Sequence, residues 1–296
     1  MNELKRIVQQ VESLVSGADG KRPIQDLGFI STARKVHLRH VPFYEPCLIL
    51  VLSGRKVMFP DGRSVAVEAG CLAAVPAPSS LDLRNEPDPV SKQYAALIIP
   101  FKVEHLERLM RSHNLLYEVK RDAAGVLKFE ADATLHASIR HYLSTVGNAR
   151  LLNHRLMEIL LLLATKNPAL LSYSLHRDSW SQRVRAVLAT DLARAWDLNQ
   201  VCARLATTES TLRRNLKRED ASFRTLLQEL RLSTALMQLL LTSAPIYSIA
   251  YDCGYQSVSR FTANFHKRFG VPPKQFRESA SESERTLTGS GKPMPS

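Results

Sequence analysis

Residues 254–277 read GYQSVSRFTANFHKRFGVPPKQFR. A glycine leads into small polar residues, then phenylalanines four apart with basic residues between them. On a helix turning about 100° per residue, Phe261, Phe265 and Phe269 fall on one stripe. Ser259, Ala263, His266 and Lys267 fall on the other side, with Arg260 and Thr262 close by. Ser257 is placed to cap the helix through its hydroxyl. Just upstream, IYSIAYDC (246–253) reads as a short helix that ends at Gly254, where a sharp turn suits glycine. A short helix, a tight turn and a second helix with one aromatic and one small, basic face make a helix-turn-helix. The second helix of such a motif lies in the DNA major groove.

The design repeats about 50 residues earlier in DLNQVCARLATTESTLRRNLKRE (197–219). Leu198, Val201 and Leu205 form the apolar face of a first helix, Ala206-Thr207 the turn, and Thr208 the cap. Leu212 and Leu216 pack the second helix. Opposite them lie Ser210, Arg214, Lys217 and Arg218, with Arg213 on the flank. An arginine can bond O6 and N7 of a guanine together, which makes Arg213 and Arg214 the most informative residues in the chain. Between the motifs, 222–242 carry an uninterrupted helical pattern of some 30 Å, close to the ~34 Å of one DNA turn. Such a helix could hold two reading helices in successive major-groove segments, a duplication for which an enzyme has no obvious need.

Charge follows the same placement. The chain of 296 residues carries a net +12, the balance expected of a partner for a polyanion. From Arg177 through Glu278 there are 16 Lys and Arg against 9 Asp and Glu, so +7 of that excess sits on the motif-bearing third. Phosphate contacts require it there.

These stretches resemble the AraC/XylS family of bacterial transcription regulators. LNQVCARLATTESTLRRNLKREDASF is similar to the family's first helix-turn-helix and IYSIAYDCGYQSVSRFTANFHKRFGVPPKQFR to its second, a likeness running from about Ser179 to Arg277. The resemblance implies seven helices, two helix-turn-helix units and a long helix joining them. It puts base-contacting positions on Ser210, Arg213 and Arg214, and on Val258, Ser259 and Ala263. With their neighbours on the same faces, the base-facing set becomes Ser210, Arg213, Arg214, Lys217, Val258, Ser259, Thr262 and Ala263. Thr208, Arg218, Ser257, Arg260, His266 and Lys267 are expected to hold the backbone. Ala206 and Ala221 stand where the family commonly has glycine, Cys202 where it has alanine, and Ala263 where it often has arginine. Val258 can touch a thymine methyl but cannot hydrogen-bond. The first motif is therefore expected to dominate specificity and the second to position.

Working outward, residues from about 23 to 101 read as strands. CLILVLSG (47–54) is a short apolar run, Asp61-Gly62 sits between two strand-like runs as a hairpin signal, and CLAAVP and QYAALIIPF follow. Short strands with turns suggest a small barrel or sandwich. YEPCLILVLSGRKVMF and VEAGCLAAVPAP resemble the cupin-like effector domain of one AraC-type subgroup. That likeness implies a barrel able to bind a small molecule and adjacent helices able to mediate dimerisation. From Val103 the period becomes helical: Leu106, Leu109 and Met110, then Leu135, Ile139 and Leu143. LLNHRLMEILLLLATKNP (151–168) is a strongly apolar helix stopped at Asn167-Pro168. Its Leu152, Leu156, Ile159 and Leu163 fit either an ordinary buried helix or a coiled-coil dimer seam.

Other chemistry finds little support. Cys47, Cys71, Cys202 and Cys253 include no CxxC pair and all sit in apolar surroundings, where packing is expected. His37, His40 and Glu45 lack the His-x-His spacing of a cupin metal site, so no metal, cofactor or catalytic residue is expected. MNELKRIVQQ lacks the apolar core of a secretory signal, and ILLLLA (159–164) falls well short of the ~20 residues of a membrane span. With 45% hydrophobic residues the chain can bury two domain cores.

The sequence thus predicts an α+β chain with an N-terminal helix (1–20), a cupin-like β-barrel (21–101) and a helical linker and dimerisation region (102–175). An all-α domain with two helix-turn-helix motifs (176–278) and a disordered tail (279–296) follow. The expected protein is a cytoplasmic regulator of transcription, not an enzyme. Its expected partners are double-stranded DNA, RNA polymerase, a second copy of itself and a small-molecule effector, with no membrane.

Overall fold

The computed structural model describes residues 3–17, 27–113, 125–175, 179–242 and 244–278. Two compact units divide the chain: Met1–Leu175 falls in one and His176–Phe276 in the other. The tail expected at 279–296 lies outside the described residues.

The N-terminal unit opens with α1 (Glu3–Gly17) and continues through β1 (Gly28–Thr32), β2 (Val36–Phe43), β3 (Cys47–Ser53), β4 (Arg55–Phe59), β5 (Val65–Glu68), β6 (Cys71–Val75), β7 (Ser79–Glu86) and β8 (Tyr94–Pro100). It closes with α2 (Val103–Ser112), β9 (Leu127–Glu130), α3 (Ala133–Ser144), α4 (Ala149–Lys166) and a 3-10 segment, Pro168–Leu175. The strands form two antiparallel sheets, β1-β8-β3-β6-β9 and β2-β7-β4-β5. Strand β3 is central and every residue but its last is buried, which is why its sequence is continuously apolar rather than alternating. One face of its sheet, through Leu48, Leu50 and Leu97, shares a core with Ile7 of α1, Ile139 of α3 and Ile159 of α4. The other face meets the second sheet. There Lys56 of β4, fully buried, donates from Nζ to Asn85 Oδ1 of β7 at 2.8 Å and lies 3.5 Å from the Tyr94 hydroxyl of β8.

The hairpin expected at Asp61-Gly62 is present. Strands β4 and β5 pair from Arg55↔Glu68 to Met58↔Val65 around a 3-10 turn, with Gly62 at φ 75°. Two expectations need correction. Leu127–Glu130, inside the region read as a helical linker, is a strand paired with β6 from Cys71↔Glu130 to Ala74↔Leu127; four residues are too short to show a period. Leu152, Leu156, Ile159 and Leu163, the candidate dimer seam, are all buried in the unit's own core. They pack α4 against α2, α3 and the 3-10 segment within one chain. The N-terminal helix, barrel and linker therefore share one core rather than forming separate domains.

The C-terminal unit is helical: α5 (Trp180–Leu188), α6 (Leu198–Arg204), α7 (Glu209–Arg218), α8 (Phe223–Leu241), α9 (Ile246–Asp252) and α10 (Val258–Phe269). A seventh helical stretch, 273–278, begins in this unit and runs just past its end at Phe276.

Candidate nucleic-acid interface

Helix α6 starts where the Asp197 carboxylate accepts the Gln200 N–H at 2.8 Å. Val201 and Cys202 face inward and are buried; Leu205 is half-buried. The chain reverses at Ala206, whose φ of 49° is left-handed, and the Thr207 N–H returns to Cys202 O at 3.0 Å. Thr208 caps α7 by accepting the Thr211 N–H at 3.3 Å. Leu212 and Leu216 bury the inner side of α7. Its outer side leaves Ser210, Arg213, Arg214, Lys217 and Arg218 exposed. The Glu209 carboxylate holds Arg213 at 3.1 Å, one helical turn away. Arg214 has no hydrogen-bond or ion-pair partner among the described residues, so its planar fork is open to an external acceptor. The far end of α7 is fixed by Glu219, whose carboxylate accepts the Trp180 and Ser181 N–H groups at 2.8 and 2.9 Å. An anion at that helix N-terminus is also favoured by the dipole of α5.

The second motif repeats this plan with aromatic packing. Gly254 turns the chain at φ 77° after α9, and Ser257 caps α10 by accepting the Arg260 N–H at 3.4 Å. Phe261, Phe265 and Phe269 are fully buried. Phe265 meets Phe261, Phe269 and Phe276 at ring separations of 5.6, 4.7 and 6.1 Å. Opposite them Ser257, Ser259, Arg260, Ala263, His266 and Lys267 are exposed; Val258 and Thr262 are half-buried at the edge of the face. No acidic residue lies in α10. The structure thus brings each predicted set onto one helix face.

Two groups escaped sequence reasoning. Glu229 and Arg231, inside α8, make contacts to residues 37 to 44 positions away; no local pattern announces them. The cysteines are free, with Cys47, Cys202 and Cys253 buried and Cys71 half-buried. Burial pushes the Cys47 and Cys253 thiols up to about 12. Of the histidines weighed as metal ligands, His37 lies tilted against Phe59 with ring centroids 6.2 Å apart, and the His40 backbone N–H donates to Asp82 Oδ1 at 2.7 Å. Among the described residues no group of three or more His, Cys, Asp or Glu is arranged to hold a metal ion, and no helix is long and apolar enough to cross a membrane.

Residues 201–279 match the family described as "Helix-turn-helix domain", and residues 46–173 match "ExsA N-terminal regulatory domain". The chain is 34% identical over 103 residues to the urease operon transcriptional activator of Escherichia coli, covering 35% of each protein. It is 38% identical over 97 residues to the transcriptional activator CfaD of Escherichia coli, covering 33% of this chain and 37% of that one. The chain thus spans little more than a third of the length of these relatives. Among solved structures, an apo form of ToxT from Vibrio cholerae aligns with a TM-score of 0.65 at 14% identity, over 86% of this chain and 97% of that one. An unsaturated fatty acid bound ToxT aligns with a TM-score of 0.62 at 15% identity, over 87% and 95%. At such identity the likeness is one of fold. The two units define a double helix-turn-helix protein with a two-sheet N-terminal unit. The comparisons thus place a helix-turn-helix domain in the C-terminal unit and a likeness to the ExsA N-terminal regulatory domain in the N-terminal one.

Proposed function

We propose that the chain is a sequence-specific DNA-binding transcription activator governed by its N-terminal unit. The observation that carries this reading is the pairing of two capped helices, α7 and α10. Each is anchored by an apolar inner stripe and offers a small, basic outer face, and both are attached to the 19-residue α8. A helix of that length spans about 28 Å, near the rise of one DNA turn. In this reading Arg214, with Ser210, Arg213 and Lys217, reads base edges, and the Arg214 fork meets a guanine. Val258, Ser259, Thr262 and Ala263 add apolar and small-residue contacts in the next major-groove segment. Thr208, Arg218, Ser257, Arg260, His266 and Lys267 grip phosphates and set the register.

The activator sign is supported by the relatives' names. A small-molecule effector for the N-terminal unit is supported by the ToxT structure that holds an unsaturated fatty acid. RNA polymerase and a second copy of the chain complete the proposal, with action in the cytoplasm. Such a dimer would use a surface other than the buried stripe of α4.

The test is selection of binding sites from a random DNA pool by the full-length protein. The expected result is an asymmetric site of two short blocks one turn apart, bound about a thousandfold or more tighter than scrambled DNA. A pool without a motif, with affinity that collapses as salt rises, would overturn the reading.

A further inference from the structure

The middle of α8 holds two charged side chains that reach in different directions. Glu229 and Arg231 are two residues apart, so on a helix they stand roughly 200° from each other around the axis. The Arg231 guanidinium donates from Nε to Leu192 O at 3.0 Å and from Nη2 to Arg194 O at 2.8 Å. Both carbonyls belong to the loop that leads into α6. That loop is itself stiffened: Asp191 Oδ1 accepts the Ala193 and Arg194 N–H groups at 3.1 Å each, and Trp196 Nε1 donates to Asp191 O at 2.7 Å.

The same guanidinium packs on the turn of the second motif. A Cβ on Gly254 would stand 2.5 Å from Arg231 Nη2 and 2.4 Å from Leu192 O. One side chain thus touches the way into the first motif and the turn of the second. On its own side of α8, Glu229 joins the same two halves. Its Oε2 lies 3.4 Å from Arg185 Nη2 on α5, and its Oε1 lies 3.6 Å from Arg268 Nη2 in the last turn of α10.

None of these contacts faces DNA in the proposed function, and none is a packing contact of the kind that an apolar residue supplies. Arg231 makes two hydrogen bonds to backbone carbonyls, and from the opposite side of the helix Glu229 makes a long hydrogen bond to Arg185 and an ion pair with Arg268. Such bonds restrict sliding and rotation more than apolar contact does, because they are lost within an ångström of displacement.

We propose that Arg231 and Glu229 are positioning residues that lock α7 and α10 at one separation, and so set the spacing of the two DNA blocks the protein accepts. This rests on the reading of the chain as a two-block DNA binder.

The experiment uses the full chain as wild type, Arg231→Gln, Arg231→Lys and Glu229→Gln. Each is titrated against duplexes carrying both blocks at the selected spacing, at spacings one and two base pairs longer and shorter, and against one block alone. Wild type is expected to lose about tenfold or more in affinity per base pair of misplacement. Arg231→Gln is expected to bind all spacings within a few-fold of each other, with single-block affinity unchanged. Arg231→Lys, which keeps one donor, should fall between them, and Glu229→Gln should broaden the tolerance. An equal loss at every spacing would mean that these residues only support the fold, and the proposal would fall.

A second arm needs no DNA. Genetically encoded nitroxide side chains at positions 210 and 267 report the separation of α7 and α10 by electron–electron distance measurement. A narrow distribution in wild type that broadens in Arg231→Gln supports the lock, and an unchanged distribution removes it. Should wild type bind no two-block duplex, the DNA reading fails while the distance distribution still decides the lock.

Discussion

Arg214 and Arg213 share one exposed helix face but not one environment. Glu209 holds Arg213 within the helix, so Arg213 must give up or share that pair to meet a base. Replacing Arg214 by alanine is expected to cost about 1–3 kcal/mol for the preferred site and to relax preference at one base position. Ser259→Ala should cost less; competition binding against single-base variants of the site measures both, and equal losses would remove the assignment of specificity to α7. Ala206 allows a separate test. Its φ of 49° is left-handed, a region that penalises any residue with a Cβ. Ala206→Gly should therefore stabilise the C-terminal unit by about 1 kcal/mol, read from urea denaturation. The position of this turn was legible in the sequence, because Ala206-Thr207 separates two helical periods. The Glu209–Arg213 pair stands at the i, i+4 spacing but went unread, because the arginine was weighed only for what it could offer DNA. Glu229 and Arg231 were not legible, since their partners lie far along the chain.

At the scale of elements, the phenylalanine stripe was the clearest signal, because a helix with aromatics every fourth residue has only one way to bury them. Phe265 has ring neighbours on three sides. Phe265→Ala should cost about 3–5 kcal/mol, seen as early loss of α10 in hydrogen exchange. If exchange protection in α10 is unchanged, the second motif does not depend on that stripe. Strands were harder to read. Strand β3 announced itself as an apolar run, and β4–β5 by Asp61-Gly62. Strands β2 and β7 mix charged and apolar residues, since one face of their sheet is exposed. The seam of α4 was ambiguous for a physical reason: a stripe that faces helices of its own unit and one that faces a partner's helix carry the same spacing, and only the tertiary fold separates them.

Across the N-terminal unit as a whole, the buried ammonium of Lys56 between the two sheets makes stability depend on pH. Burial lowers its pKa from 10.5 to about 8. Below pH 8 the lysine is charged in both states, and the folded state bears the full desolvation penalty. Between pH 8 and 10.5 the unfolded chain holds more protons, so this group's contribution makes stability rise with pH, by about 3 kcal/mol in total. Cys47 acts in the opposite sense above about pH 9, because its thiol, raised to about 12, ionises first in the unfolded chain. Comparing wild type with Lys56→Met across this range isolates the lysine. The variant should be the more stable at pH 7, and its advantage should shrink as pH rises; a constant difference would show that Lys56 does not titrate there. Binding to DNA carries its own whole-chain signature: Lys267→Ala should weaken all sequences alike and reduce the steepness of the salt dependence by about one counterion.

The strand Leu127–Glu130 and the helices around it also bear on how the gene can be divided. A cut at codon 101, where the barrel and its linker looked separable, would strip β6 of one of its two neighbours and uncover Leu48, Leu50 and Leu97 to water. Such a piece would be expected to precipitate on expression. A cut near codon 175 leaves each core with its own cover. Exchanges of N-terminal halves between relatives, whether by recombination or by hand, should survive at the second seam and fail at the first.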